Sequence, residues 1–99
     1  MIIARSSFAC AVYPNFSQIF VVGGQVNSNE ATKSCERYLI KEEIWKCLPE
    51  IHEAKINMGL CFFNHGSTIY CFGGAGKSLD NITQNTKTIE KLSKGQNSW

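Results

Sequence analysis

The chain has 99 residues, of which 43% are hydrophobic and 18% charged, and its net charge is +2. That length supports one small domain, and the composition is neither disordered nor fibrous. With no concentrated basic stripe the charge argues against a nucleic-acid surface, and no apolar run reaches the length of a membrane span.

Met1-Ile2-Ile3-Ala4 is followed at once by Arg5, so a signal-peptide core is missing and the expected compartment is cytoplasmic. Phe8-Ala9-Cys10-Ala11-Val12 is a short apolar run of mostly small residues, ended by the turn chemistry of Pro14-Asn15. Ile19 to Val22 is continuously β-branched or aromatic and reads as a strand buried on both faces. Gly23-Gly24 then lets the backbone leave in conformations that a Cβ would disfavour. The polar stretch from Gln25 to Lys33 reads as a loop. A third strand is expected from Ser34 to Ile40, carrying Tyr38, and a fourth from Ile44 to Leu48 around Trp45, stopped by Pro49.

The cycle then restarts. Lys55 takes the place of Arg5, and Gly59-Leu60-Cys61-Phe62-Phe63 takes the place of the first apolar run. Asn64-His65-Gly66-Ser67 has the composition of a tight turn with positive φ. Ile69 to Phe72 repeats the buried strand, and Gly73-Gly74 repeats the doublet 50 residues after the first. The polar stretch from Ala75 to Thr86 reads as a longer loop, Thr88 to Leu92 as the third strand, and Trp99 follows Trp45 at a spacing of 54. A repeat of about 50 residues means an array of like sheets, each a four-stranded antiparallel meander. The units run 1–49 and 50–99, the second with its outer strand truncated.

This pattern resembles the kelch repeat. That family has a basic residue before the first strand, Gly-Gly after the second, and an aromatic separated by six residues from a Trp; Arg5, Gly23, Gly24, Tyr38 and Trp45 fill those places. In the second copy Lys55, Gly73, Gly74 and Trp99 hold, while Leu92 stands where the aromatic would be. The resemblance implies an all-β fold: two four-stranded antiparallel blades of a kelch-type β-propeller, the second incomplete. It places the first strand nearest the axis, where Ala9, Ala11, Gly59 and Cys61 suit the crowding, and assigns Tyr38 and Trp45 to the wedge between neighbouring sheets. It also implies a protein-interaction module whose loops after the doublets and between the blades share one face. On those loops Gln25, Asn27, Asn29, His52, Lys77 and Asn81 are the candidates to bind a protein or peptide. Two blades leave outer faces bare, so self-assembly to complete a propeller is expected, since repeat arrays usually need about three units.

The residues offer little to chemistry. The five cysteines form no C-x-x-C pair, which argues against zinc or a dithiol site, and three of them lie in expected strands as small hydrophobes. Asn15-Phe16-Ser17 and Asn81-Ile82-Thr83 match the glycosylation acceptor pattern, by chance if no signal directs secretion. Gly73-Gly74-Ala75-Gly76-Lys77-Ser78 imitates a phosphate-binding loop, but Cys71 stands where that loop requires its first glycine. The two histidines, His52 and His65, fall on loops that the kelch geometry puts on opposite faces. The expectation is therefore no enzyme, no metal and no cofactor. The alternatives are an enzyme of the kelch-propeller type and a truncated gene product without independent function.

Overall fold

The computed structural model describes residues 1–28, 30–77, 83–85 and 87–99. Every regular element among them is a strand: β1 (Ala9–Val12), β2 (Gln18–Val22), β3 (Gln25–Asn27), β4 (Glu30–Ala31), β5 (Cys35–Leu39), β6 (Ile44–Leu48), β7 (Gly59–Phe63), β8 (Thr68–Phe72), β9 (Ala75–Lys77), β10 (Thr83–Asn85) and β11 (Ile89–Ser93). The first sheet has the order β1-β2-β5-β6 and the second the order β11-β8-β7. All pairings are antiparallel, as short connections demand. The expected all-β architecture is the one the chain adopts, with four described strands in the first sheet and three in the second.

Local chemistry explains the turns. Asn64, His65 and Gly66 all take positive φ, at 52°, 56° and 91°, so the expected tight turn joins β7 to β8. The stretches expected to be plain loops after each doublet contain structure of their own. Between β2 and β5 the chain forms the small hairpin β3–β4, and between β8 and β11 the strands β9 and β10 pair with each other. Each hairpin is pinned at its root by a two-way backbone bridge, Ser6 with Gln25 and Ile56 with Ala75. Polar composition hides such hairpins because exposed two-stranded ribbons need no apolar face.

The sheets pack face to face. Side chains alternate along a strand, so Phe20, Val22, Cys35 and Leu48 share one face of the first sheet and meet Leu60, Ile69, Cys71 and Leu92 of the second. Ile51, from the connecting segment, and Met58, just before β7, fill the remaining space at 1% and 7% exposure. Phe62 stands edge-on to both Phe20 and Tyr13, with ring centroids 4.9 and 5.2 Å away. Tyr38 and Trp45 lie on the other face of the first sheet, away from the second. They are cross-strand partners with centroids 4.9 Å apart, and both are half-buried. The inter-sheet wedge is filled instead by their repeat counterparts, Leu92 and Trp99, and the Trp99 indole donates to the Pro49 carbonyl.

All five cysteines are free, and only Cys35 and Cys71 are buried; Cys10, Cys47 and Cys61 are exposed. The expectation that strand cysteines serve as core hydrophobes thus holds for two of them. Burial pushes the Cys35 thiol up to about 12 and the Cys71 thiol up to about 11. The folded chain holds these protons more tightly than the unfolded one. Their contribution to stability is complete below the ordinary thiol value of 9.0 and is lost as pH rises toward 11–12. Iodoacetamide at neutral pH is expected to label the three exposed thiols of the native chain and all five in urea, read by mass spectrometry. Rapid labelling of Cys35 or Cys71 in the native chain would contradict this packing.

Candidate functional site

The rim that carries both hairpins is held by a device that occurs twice. In the first copy Arg5, on the segment before β1, reaches across to Glu36 on β5 at 2.5 Å, and both side chains are buried. The guanidinium also donates to the Gly23 and Ser34 carbonyls at 2.9 and 2.7 Å and to the Ser34 hydroxyl. Glu36 in turn accepts from the Ile2 and Ile3 amides. In the second copy Lys55 faces Glu90 on β11 at 3.4 Å and donates to the Thr88 hydroxyl. Glu90 accepts from the His52 and Glu53 amides.

A cation before the first strand, a carboxylate on the third and two amides of the incoming chain therefore form one bracket. The bracket fixes where each hairpin leaves its sheet. A buried charge is tolerable only when paired and hydrogen-bonded, and both conditions are met here. Sequence reasoning placed Arg5 and Lys55 before the first strands and saw Glu36 and Glu90 recur, but gave the acids no role. The signal was present: Glu36 and Glu90 recur 54 residues apart, in step with Trp45 and Trp99.

The two sheets are also joined along their backbones at this rim. The Gly24 amide donates to the Lys55 carbonyl at 2.9 Å, Asn57 to Ser7 at 2.9 Å and Ile51 to Lys33 at 3.1 Å. Gly24 needs its positive φ of 102°, because a Cβ there would meet the Ser6 carbonyl and Phe8 below 3 Å. The imitation phosphate loop has no open cradle in its described part. The Gly73 amide donates to the Thr88 carbonyl and the Ala75 amide to the Ile56 carbonyl.

The candidate binding residues do not all converge. Gln25 and Asn27 line an open groove of about 410 Å³ beside β3, together with Ala4, Ser6 and Val26. Asn27 is exposed and donates to Glu30. His52 is exposed on the connecting segment, where its ring contacts the Trp99 carbonyl at 2.8 Å, and it does not line the groove. Lys77 ends β9, while Asn29 and Asn81 lie outside the described residues. Among the described residues no cluster of His, Cys, Asp or Glu could hold a metal ion. No helix of the described residues is long and apolar enough to cross a membrane.

Comparison with known proteins agrees with this geometry. The sequence signature of the kelch motif matches residues 4–51. The chain is 35% identical over 74 residues to the Kelch repeat and BTB domain-containing protein 2 of Ectromelia virus (strain Moscow), an alignment covering 75% of the chain and 12% of that protein. It is 30% identical over 100 aligned positions to the F-box/kelch-repeat protein SKIP20 of Arabidopsis thaliana, covering 90% of the chain and 24% of that protein. The chain thus spans a quarter or less of the length of either relative.

Proposed function

The chain belongs to the kelch-repeat family, and from that premise we propose that it is a non-enzymatic, cytoplasmic protein-interaction module. It grips a protein or peptide partner through the rim that bears β3–β4, residues 49–56 and β9–β10. The observation that carries this reading is the pairing of a rigid root with a polar, open tip. The Arg5–Glu36 bracket and the Ser6–Gln25 bridge fix the base of the β3–β4 hairpin, while Asn27 stands exposed above an open groove. Binding residues placed on loops above a fixed scaffold are a recurrent solution for recognition. The relatives fit the reading, since their names join kelch repeats to a BTB domain or an F-box.

Self-assembly belongs to the same proposal. The face of the second sheet turned away from the first exposes Phe63, Phe72 and Ile89 at 58%, 43% and 68%. Their repeat counterparts on the first sheet lie on the face that the second sheet covers. A second copy would bury this surface as the first sheet's own inner face is buried.

The rim is tested by replacing Asn27, Asn29, His52 and Lys77 together by Ala. Asn27 and His52 are exposed, and substitution of exposed side chains away from special features costs within about 0.5 kcal/mol each, so circular dichroism and the melting midpoint should barely change. His52→Ala keeps the backbone amide that Glu90 needs. Capture of partner protein from cell extract should fall by at least about tenfold, or about 1.4 kcal/mol. Undiminished capture would refute the rim as the binding face, and loss of folding would show that these residues are structural.

A further inference from the structure

At the end of the sheets opposite the hairpins, the β1–β2 turn, the β7–β8 turn and the segment after β11 enclose a cleft of about 390 Å³. Its walls include Tyr13, Phe20 and Phe62, the three rings that pack on one another, and Leu48 and Leu92 from the core. Two cations line it, Arg37 from β5 and Lys94 from the segment after β11, and no Asp or Glu among the described residues does. The Arg37 Nη1 donates to the Gln18 side-chain carbonyl at 3.2 Å. The Arg37 Nε is buried and has no hydrogen-bond partner among the described residues.

A buried donor left unpaired is costly, and such a group in a folded protein calls for an explanation. Both sheets contribute to this arrangement. Arg37 sits opposite Phe20 in the first sheet, while Phe62 and Lys94 come from the second half of the chain. The Nε–Nη2 edge of a guanidinium presents two parallel donors, the spacing that a planar carboxylate accepts. Turning that edge into the cleft requires the partly exposed side chain to rotate. Phosphate accepts the same edge, but it brings no apolar neighbour for the ring-lined walls of the cleft. The aromatic walls suit an apolar neighbour of the carboxylate, and a concave apolar pocket with a few convergent polar groups is the usual form of a ligand site.

We propose that this inter-sheet cleft is a second binding site, which takes an acidic side chain flanked by apolar residues of a peptide, with Arg37 as the carboxylate clamp and Lys94 as the accessory charge. The site is independent of the hairpin rim and does not rest on it.

The test uses the full chain labelled with ¹⁵N-arginine, following the Arg37 Nε–H resonance by NMR. The probe is the blocked peptide acetyl-Leu-Glu-Leu-amide, with acetyl-Leu-Gln-Leu-amide and inorganic phosphate as comparison ligands. The glutamate peptide should move the Arg37 signal saturably, with an affinity at least about tenfold above that for the glutamine peptide. Lys94→Ala should weaken binding, and about 0.5 M salt should do the same, since an ion pair at a cleft mouth is screened. Lys94 is exposed, so that variant leaves the fold intact. An unmoved Arg37 signal, an equal response to the glutamine peptide, or tighter binding of phosphate would each overturn the proposal.

Discussion

Glu36→Ala is expected to bring the chain close to unfolding. The substitution leaves the Arg5 guanidinium buried without a counter-ion and strips the Ile2 and Ile3 amides of their acceptor. Breaking a buried pair by removing one partner costs about 3–5 kcal/mol, because the remaining charge stays desolvated. Small domains have only about 5–15 kcal/mol in total. Glu90→Ala should cost less, about 1.5–3 kcal/mol, the range for hydrogen bonds to charged groups. Its ion pair is longer, at 3.4 Å, and the carboxylate keeps 8% exposure. Arg5→Lys should fall between wild type and Glu36→Ala. Lysine keeps the charge but not the fork that serves Gly23, Ser34 and Glu36 together. Urea melts at fixed protein concentration check the order, through shifts in midpoint at constant slope. A Glu36→Ala chain within about 1 kcal/mol of wild type would mean that the bracket contributes no more than an exposed salt bridge.

Gly23→Ala and Gly73→Ala should differ sharply although the two glycines hold the same place in the repeat. Both take left-handed φ, 62° and 68°, so an alanine at either position costs about 1–2 kcal/mol in backbone strain. At Gly23 the added methyl would also stand 2.8 Å from the Lys55 carbonyl and 2.6 Å from the Met58 methyl. Met58 is flexible and can move. The Lys55 carbonyl cannot move freely, because it accepts the Gly24 amide that ties the two sheets together. Overpacking of that kind adds about 1–3 kcal/mol. At Gly73 the same methyl meets none of the described residues within 4 Å. Thermal melts of the two variants should therefore differ by about 1–3 kcal/mol, with Gly23→Ala the weaker. Equal losses would show that backbone strain alone sets the cost and that the contact with the second sheet is slack.

The same comparison separates what was legible in the chain from what was not. Positive φ is easiest for glycine and asparagine, so both doublets and the Asn64-His65-Gly66 turn could be read from composition and spacing, whereas Ser7, Phe16 and Glu43 take it without such a signal. The buried middle strands were legible too, since Ile19 to Val22 and Ile69 to Phe72 carry unbroken apolar runs bounded by glycine. The candidate site was less so. Glu36 and Glu90 repeat in step with the motif, but a surface acid and a buried one look alike in a sequence. Their role depends on a cation some 30 residues earlier being folded against them. Arg37 gave no signal at all, because its environment is made by rings from both halves of the chain.

The sequence by itself determined the strand-and-turn grammar, the two-fold repetition and the all-β class, because each of these follows from a preference that one residue or one short run expresses locally. Tertiary structure alone decided which face of each sheet is covered. Residues on the two faces of a strand differ only by alternation, and burial goes to whichever face meets a neighbouring sheet. That choice makes Leu92 and Trp99 inter-sheet fillers while Tyr38 and Trp45, their counterparts, pack on each other at the outer surface. It crowds Gly23 and leaves Gly73 open, and it closes a cleft around a guanidinium whose Nε nothing among the described residues satisfies. Packing of one sheet on another is a property of pairs of distant segments, and no single segment carries it.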